Sequence, residues 1–198
     1  MQDTLRVGEV QRETRETKIW VKIEIDGQGQ EKIDTEIPFL DHMLTLLSVH
    51  SRCNLFVTAR GDLEVDDHHT VEDIGICLGE AIKKALGDKT GISRYGEATV
   101  PMDEALVRVV LDFSGRPHLS YAVEIPGENL GKLSRESVQE FFQAVVNHAG
   151  LTLHIDLLRG QNSHHIVEAV FKAFSRALKM AVTLDPNIRG VLSSKGQL

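Results

Sequence analysis

The chain is written twice, and a chain that repeats itself folds into two units of like topology. Sliding the sequence by 98 places Leu40 on Val138, Leu44 on Phe142, Leu47 on Val145 and His50 on His148. After a two-residue change in loop length, a shift of 96 places His68, His69, Val71 and Glu72 on His164, His165, Val167 and Glu168. The second register continues through Ile74/Val170, Leu78/Phe174, Ile82/Leu178 and Lys83/Lys179. Coincidence does not hold register over two helices and a strand.

Hydrophobic spacing assigns the elements in each copy. Ile19, Val21, Ile23 and Ile25 alternate as in a half-buried strand, the turn Asp26-Gly27-Gln28-Gly29 follows, and a short strand is expected around Ile33. Leu40, Met43, Leu44 and Leu47 recur at helical spacing, Asn54 to Arg60 reads as a strand, and a longer helix runs from near His69 to Gly87. In the second copy Ala105, Val107, Val109, Leu111 and Phe113 alternate, as do Leu119, Tyr121, Val123 and Ile125 after the Gly115-Arg116-Pro117 turn. A helix carrying Val138, Phe141, Phe142 and Val145, a strand from Leu151 to Leu157 and a helix from about His165 into Val182 complete it. The expected fold class is therefore α+β, an internal duplication of two half-domains, each a β-sheet covered by two helices. Residues 1–90 form the first half and 91–198 the second, with a flexible C-terminal tail, in one compact unit.

Charge and composition narrow the functions. A net charge of −7 without a basic stripe argues against nucleic acid, though not against a local cationic pocket for a small phosphorylated ligand. No run is long enough for a membrane span, and MQDTLRVGEV lacks the apolar core of a signal peptide, so a cytoplasmic location is expected. Cys53 and Cys77, in apolar segments without metal spacing, read as buried reduced thiols.

Six of the nine histidines fall into the repeated pattern. On a helix, i and i+4 share a face while neighbours point about 100° apart. His68 and Glu72 can therefore converge on one ion while His69 aims at another, and His164, Glu168 and His165 repeat the arrangement. Imidazole with carboxylate suits manganese, iron, zinc or nickel rather than calcium, and the lack of cysteine ligands favours an open catalytic site over a closed structural one. The order differs from the zincin helix, in which Glu directly follows the first His.

The motifs FLDHML (Phe39–Leu44), HHTVEDIGI (His68–Ile76), PMDEAL (Pro101–Leu106), DFSGRP (Asp112–Pro117), LTLHI (Leu151–Ile155), NSHHIVEA (Asn162–Ala169), FKAFSRAL (Phe171–Leu178) and SSKG (Ser193–Gly196) stand in order along the chain. As a set they resemble imidazoleglycerol-phosphate dehydratase, a family of histidine biosynthesis, over essentially the whole length. The resemblance implies a hydro-lyase that converts imidazole glycerol phosphate to imidazole acetol phosphate with two Mn2+ ions per active site. It implies His42, His69, His164 and Glu168 around one ion and His68, Glu72 and His165 around the other. In some relatives a further histidine ligand stands where this chain has Glu140, which the duplication pairs with His42. A carboxylate can ligate there, or another group can fill that corner. Glu36, in TEIPFLDHM, is a second departure, at a place where relatives commonly have a small residue.

Two cations on an imidazole ring act as Lewis acids and orient it for loss of the neighbouring hydroxyl. A carboxylate must also move protons. By position that is Glu16, in RETRET (Arg12–Thr17), which read alone is an exposed edge-strand charge. The family's phosphate-contacting residues map onto Arg94, Arg116, Lys172, Ser193, Ser194 and Lys195, with arginine suited to bidentate oxyanion contact. His50, His118, His148 and His154 have no such match and read as structural or supporting. The resemblance also implies trimers built into a 24-mer homo-oligomer with metal sites at subunit contacts, a small-molecule substrate, and no nucleic-acid or membrane partner. Two other readings compete: a metal-binding storage or assembly protein, which leaves the arginines and the serine-lysine tail without purpose, and a di-metal phosphoesterase, which would turn over generic phosphoesters.

Overall fold

The computed structural model describes residues 5–196. The first half runs β1 (Val7–Glu13), β2 (Thr17–Glu24), β3 (Glu31–Asp34), α1 (Pro38–Ser51), β4 (Asn54–Gly61) and α2 (His68–Leu86). The second runs β5 (Tyr95–Met102), β6 (Ala105–Asp112), β7 (His118–Ala122), the short hairpin β8 (Asn129–Leu130) and β9 (Leu133–Ser134), α3 (Arg135–Ala149), β10 (Thr152–Arg159) and α4 (Ser163–Val182). Two four-stranded sheets result, ordered β1-β2-β4-β3 and β5-β6-β10-β7. Each has two antiparallel pairings and one parallel pairing, the latter made possible by a helical crossover, α1 or α3. The row Val10, Val21, Val57, Ile33 across the first sheet is matched by Ala98, Val109, Ile155, Tyr121 across the second. The two sheets are thus the same structure, and the duplication read from the sequence is one of topology and register.

The inner faces hold the core: Ile19, Val21, Ile23, Leu55 and Val57 in one sheet, Val107, Val109, Leu111, Leu153 and Ile155 in the other. α2 covers β1 and β2 while packing on α3; α4 covers β5 and β6 while packing on α1. The order of layers is sheet, helices, helices, sheet, with each half's first helix lying against the other half's second. Phe141, Phe142, Phe171 and Phe174 mesh between α3 and α4, with ring centroids 5.1–5.5 Å apart.

Close approach of helix to edge strand depends on one glycine in each half. A Cβ on Gly8 would sit 1.8 Å from the Ala81 carbonyl oxygen, and one on Gly96 would sit 1.9 Å from that of Ala177. Ala81 and Ala177 are repeat partners at the helical shift of 96, so both halves use the same device.

Some elements depart from the sequence reading. β1, β5 and the β8–β9 hairpin carry no apolar alternation to reveal them: β1 buries only Gly8 and Val10, and β5 only Gly96. The strand expected through Ile125 ends at Ala122, where β10 has no further residue paired with it beyond Asp156. Glu36 adopts φ 64°, a backbone region that costs a non-glycine residue about 1 kcal/mol. There the Thr35 backbone N–H and hydroxyl both donate to Asp41 Oδ1 and fix the entry to α1, while Glu36 reaches Arg60 at 3.6 Å.

Candidate functional site

α1 and α4 lie side by side, and their facing residues build the most developed cluster. His42 Nε2 stands 3.6 Å from Glu168 Oε2, and His164 Nε2 stands 3.1 Å from the same oxygen. The other oxygen, Oε1, accepts from Lys172 Nζ at 2.5 Å, one turn further along α4. Lys172 therefore turns one lone-pair edge of the carboxylate away and leaves Oε2 facing two imidazoles. Glu168 is buried, which pushes its carboxyl up, but Lys172 and then His164 outweigh that and hold it below the usual carboxylate range. Potential ligand atoms of His42, His164 and Glu168 all lie within 4.8 Å of one another, the only such group of three among the described residues. Two nitrogens and one oxygen converging from rigid helices suit a first-row divalent cation and leave positions open for substrate. Phe39, edge-on to the His164 ring at 5.1 Å, closes one side.

The starts of α2 and α4 are held by short polar residues. The Asn162 side chain accepts from the backbone N–H of His164 and His165. Asp66 accepts from the His68 N–H, whereas Asp67 reaches across to accept from the N–H of Ser134, which caps α3. The second histidine of each pair then turns away from the three-residue cluster. His69 Nδ1 meets Asp62 Oδ2 at 3.1 Å, with Glu16 Oε2 3.9 Å away. His165 Nδ1 meets Glu104 Oε2 at 2.6 Å. Both imidazoles are raised above their ordinary range, chiefly by those carboxylates, and Glu104 is lowered to about 2 by His165 and by the Asn162 backbone.

Of the ligand set expected around one ion, a single chain thus assembles His42, His164 and Glu168 but not His69. The other expected set, His68, Glu72 and His165, does not converge within one chain, and neither does Glu140, on α3, join such a group among the described residues. Glu16 lies in a turn organised by Thr14, whose hydroxyl accepts from the N–H groups of Glu16 and Thr17. That turn is tied to α2 by Asp73, which accepts from Thr17 Oγ1 and, at 2.8 Å, from Arg12 Nε.

The residues expected at phosphate divide between separate places. Arg94 is nearly buried and grips Asp112 with Nε and Nη2 at 2.6 and 3.0 Å, while its Nη1 donates to the Leu192 carbonyl at 2.7 Å. It therefore anchors the tail, and Ser193 and Ser194 line the cleft beside it. Lys195 follows in a turn in which its N–H donates to Ser193 Oγ. Arg116 sits in the β6–β7 turn against its neighbour Ser114 and forms no ion pair among the described residues. Lys172 belongs to the metal-type cluster.

Two residues escaped the sequence reading. Asp62 and Glu104 are single carboxylates in loops, which carry no signal alone, although Glu104 falls on Glu16 when the two sheets are aligned by strand register. His50, two turns beyond His42, lines an open cleft of about 660 Å³ with Arg52, Arg176 and Lys179, and burial, Lys172 and Arg176 lower its pKa. His148, by contrast, bonds the Ala144 carbonyl of its own helix, a structural role as expected.

Comparison with known proteins agrees with this architecture. The sequence profile described as imidazoleglycerol-phosphate dehydratase matches residues 35–178. The protein of that name from Syntrophomonas wolfei is 65% identical over 193 residues, covering 98% of each chain. That from Syntrophus aciditrophicus is 57% identical over 195 residues, covering 98% of this chain and 99% of the other. The crystal structure of the Staphylococcus aureus dehydratase superposes with a TM-score of 0.82 at 46% identity, over 90% of this chain and 99% of that one. The Pyrococcus furiosus structure gives 0.82 at 36% identity, over 96% and 100%. The chain belongs to the imidazoleglycerol-phosphate dehydratase family.

Proposed function

We propose that this chain eliminates water from imidazole glycerol phosphate to give imidazole acetol phosphate. A proton leaves the carbon bearing the middle hydroxyl, the hydroxyl next to the ring departs with a proton as water, and the resulting enol becomes the ketone. The observation that carries the reading is the three-sided His42–His164–Glu168 group with its missing corner. His69, the expected fourth ligand, bonds Asp62 and does not join that group within the same chain. A second copy supplying His69 completes the set, and the same exchange brings His165 to His68 and Glu72 of another copy. Assembly and activity are then one event, in keeping with trimers built into a 24-mer.

The donor set fits Mn2+, two ions per site, and bound ions would supply Lewis acidity toward the imidazole of the substrate. The remaining work falls to the chain itself. Lys172 keeps Glu168 ionised through its 2.5 Å contact and is the cation beside the ligand cluster, where it would attract the phosphate. Arg94 holds the Ser193-Ser194-Lys195 tail in place, and in the assembly that tail and Arg116 would reach the phosphate from other copies. Glu16, exposed on a turn that Asp73 steadies, takes and returns the proton.

The test is turnover of imidazole glycerol phosphate by chelator-stripped protein with and without manganese, with particle size measured in parallel. Manganese-restored formation of imidazole acetol phosphate by a large assembly is expected. Metal uptake with no turnover would overturn the reading in favour of a storage or assembly role.

A further inference from the structure

The two copies of the histidine pair are supported by different carboxylates, and the difference carries an inference that rests on the metal-dependent reading above. An ionised carboxylate only accepts hydrogen bonds, so the contacts of His165 Nδ1 with Glu104 and of His69 Nδ1 with Asp62 require the proton on Nδ1. In that tautomer Nε2 keeps a free lone pair. Glu104 is itself fixed: Oε1 accepts from the backbone N–H of Asn162 at 2.8 Å and of Gln161 at 3.2 Å. Asn162 also caps α4 beneath His164 and His165. The β5–β6 turn, the first turn of α4 and the His165 ring thus form one rigid unit. Asp103, in the same turn, lies 3.7 Å from His165 Nε2, on the side a cation would occupy.

Sheet register makes Glu104 the twin of Glu16. A shift of 88 carries Ile19, Val21 and Ile23 onto Val107, Val109 and Leu111, and it carries Glu16 onto Glu104. In the first half the bond to the histidine is taken by Asp62, just past β4, and Glu16 stays exposed at 3.9 Å. We propose that Asp62 and Glu104 are positioning residues that fix the tautomer and direction of His69 and His165, presenting Nε2 to a divalent cation. In the first half Asp62 thereby releases Glu16 for the substrate. The duplicated glutamates have parted company: one moves protons, the other clamps a ligand.

Glu104→Gln tests this sharply. Its amide oxygen can still accept from Gln161 and Asn162, while its NH2, turned toward His165, donates and selects the opposite tautomer. Calorimetric titration of Mn2+ into the chelator-stripped full chain should show affinity about 10–100-fold weaker for Glu104→Gln and for Asp62→Asn. The far-ultraviolet circular dichroism of both metal-free variants should match that of the parent. Should Glu104→Gln fail to fold, Asp62→Asn decides alone, because the Asp62 carboxylate bonds only His69 among the described residues. Parental affinity in the variants, with metal lost in His165→Ala, would overturn the positioning role and leave the proposed function standing. Parental affinity in His165→Ala itself would overturn the ligand assignment, and the inference with it.

Discussion

Replacing Gly96 by alanine is expected to destabilise the protein by about 3 kcal/mol, the upper end of ordinary overpacking. The added Cβ would lie 1.9 Å from the Ala177 carbonyl oxygen, 2.8 Å from its carbon and 3.0 Å from the Ala181 nitrogen. All three are backbone atoms, so no side chain can swing aside. Reaching ordinary contact requires β5 and α4 to separate by about 1.5 Å, and interiors packed like crystals do not yield that cheaply. α4 has no room to retreat, since α1 lies against it. For a chain of this size the midpoint should fall by about 6–12 °C. Urea and thermal unfolding of chelator-stripped protein, followed by circular dichroism, would measure it. Gly8→Ala, where the corresponding oxygen lies 1.8 Å away, should cost a similar amount. A Gly96→Ala protein melting within about 2 °C of the parent would refute the argument that this contact sets the helix position. Because α4 carries His164, Glu168 and Lys172, manganese affinity should fall in the same variant.

Lys172→Met removes the 2.5 Å contact with Glu168 Oε1 and should lower kcat/KM at least about tenfold, mainly through KM if the lysine serves phosphate; unchanged steady-state kinetics would exclude it from the site. Arg94→Lys cannot bridge both Asp112 oxygens and the Leu192 carbonyl, so limited proteolysis near Arg189 should quicken and KM should rise about tenfold. The pH dependence should reverse with metal. His69 and His165 are raised in the folded state, so their stabilisation is complete below the unfolded value of about 6.5 and is lost as pH rises through the higher folded values. Manganese binding gains over the same interval, because Nε2 must shed its proton. Thermal midpoints measured with and without manganese should therefore slope in opposite directions above about pH 6.5, and parallel slopes would contradict histidine ligation.

The helices were legible in the sequence because each buries a stripe: Leu40, Met43, Leu44 and Leu47 on α1 announce one at a glance. β1 and β5 were not, because each lies at a sheet edge and meets its helix through a glycine rather than an apolar side chain. The metal-type motifs were visible as spacing, since i and i+4 geometry is local. Which histidines meet within one chain was not, for that depends on α1 lying beside α4 and on where loop carboxylates draw His69 and His165. Arg94 shows the same limit: its side chain spends its fork on Asp112 and the tail, a choice that only the packed structure determines.

The crossed packing of the halves, α1 on α4 and α2 on α3, bears on how such a chain arose. A lone half would expose the apolar sides of both helices and persist only by pairing with a second copy. Fusion of two such halves would have kept that pairing while freeing each copy from the other's constraints. The residues opposite one another now record the drift. Glu140 stands where its twin is His42, and Phe171 and Ser175 stand where α2 has Gly75 and Gly79, whose missing side chains let α3 press close. Symmetry gave the fold two equivalent histidine-bearing helices; on the roles proposed above, its subsequent loss would be what let one glutamate of a matched pair serve chemistry and the other scaffolding.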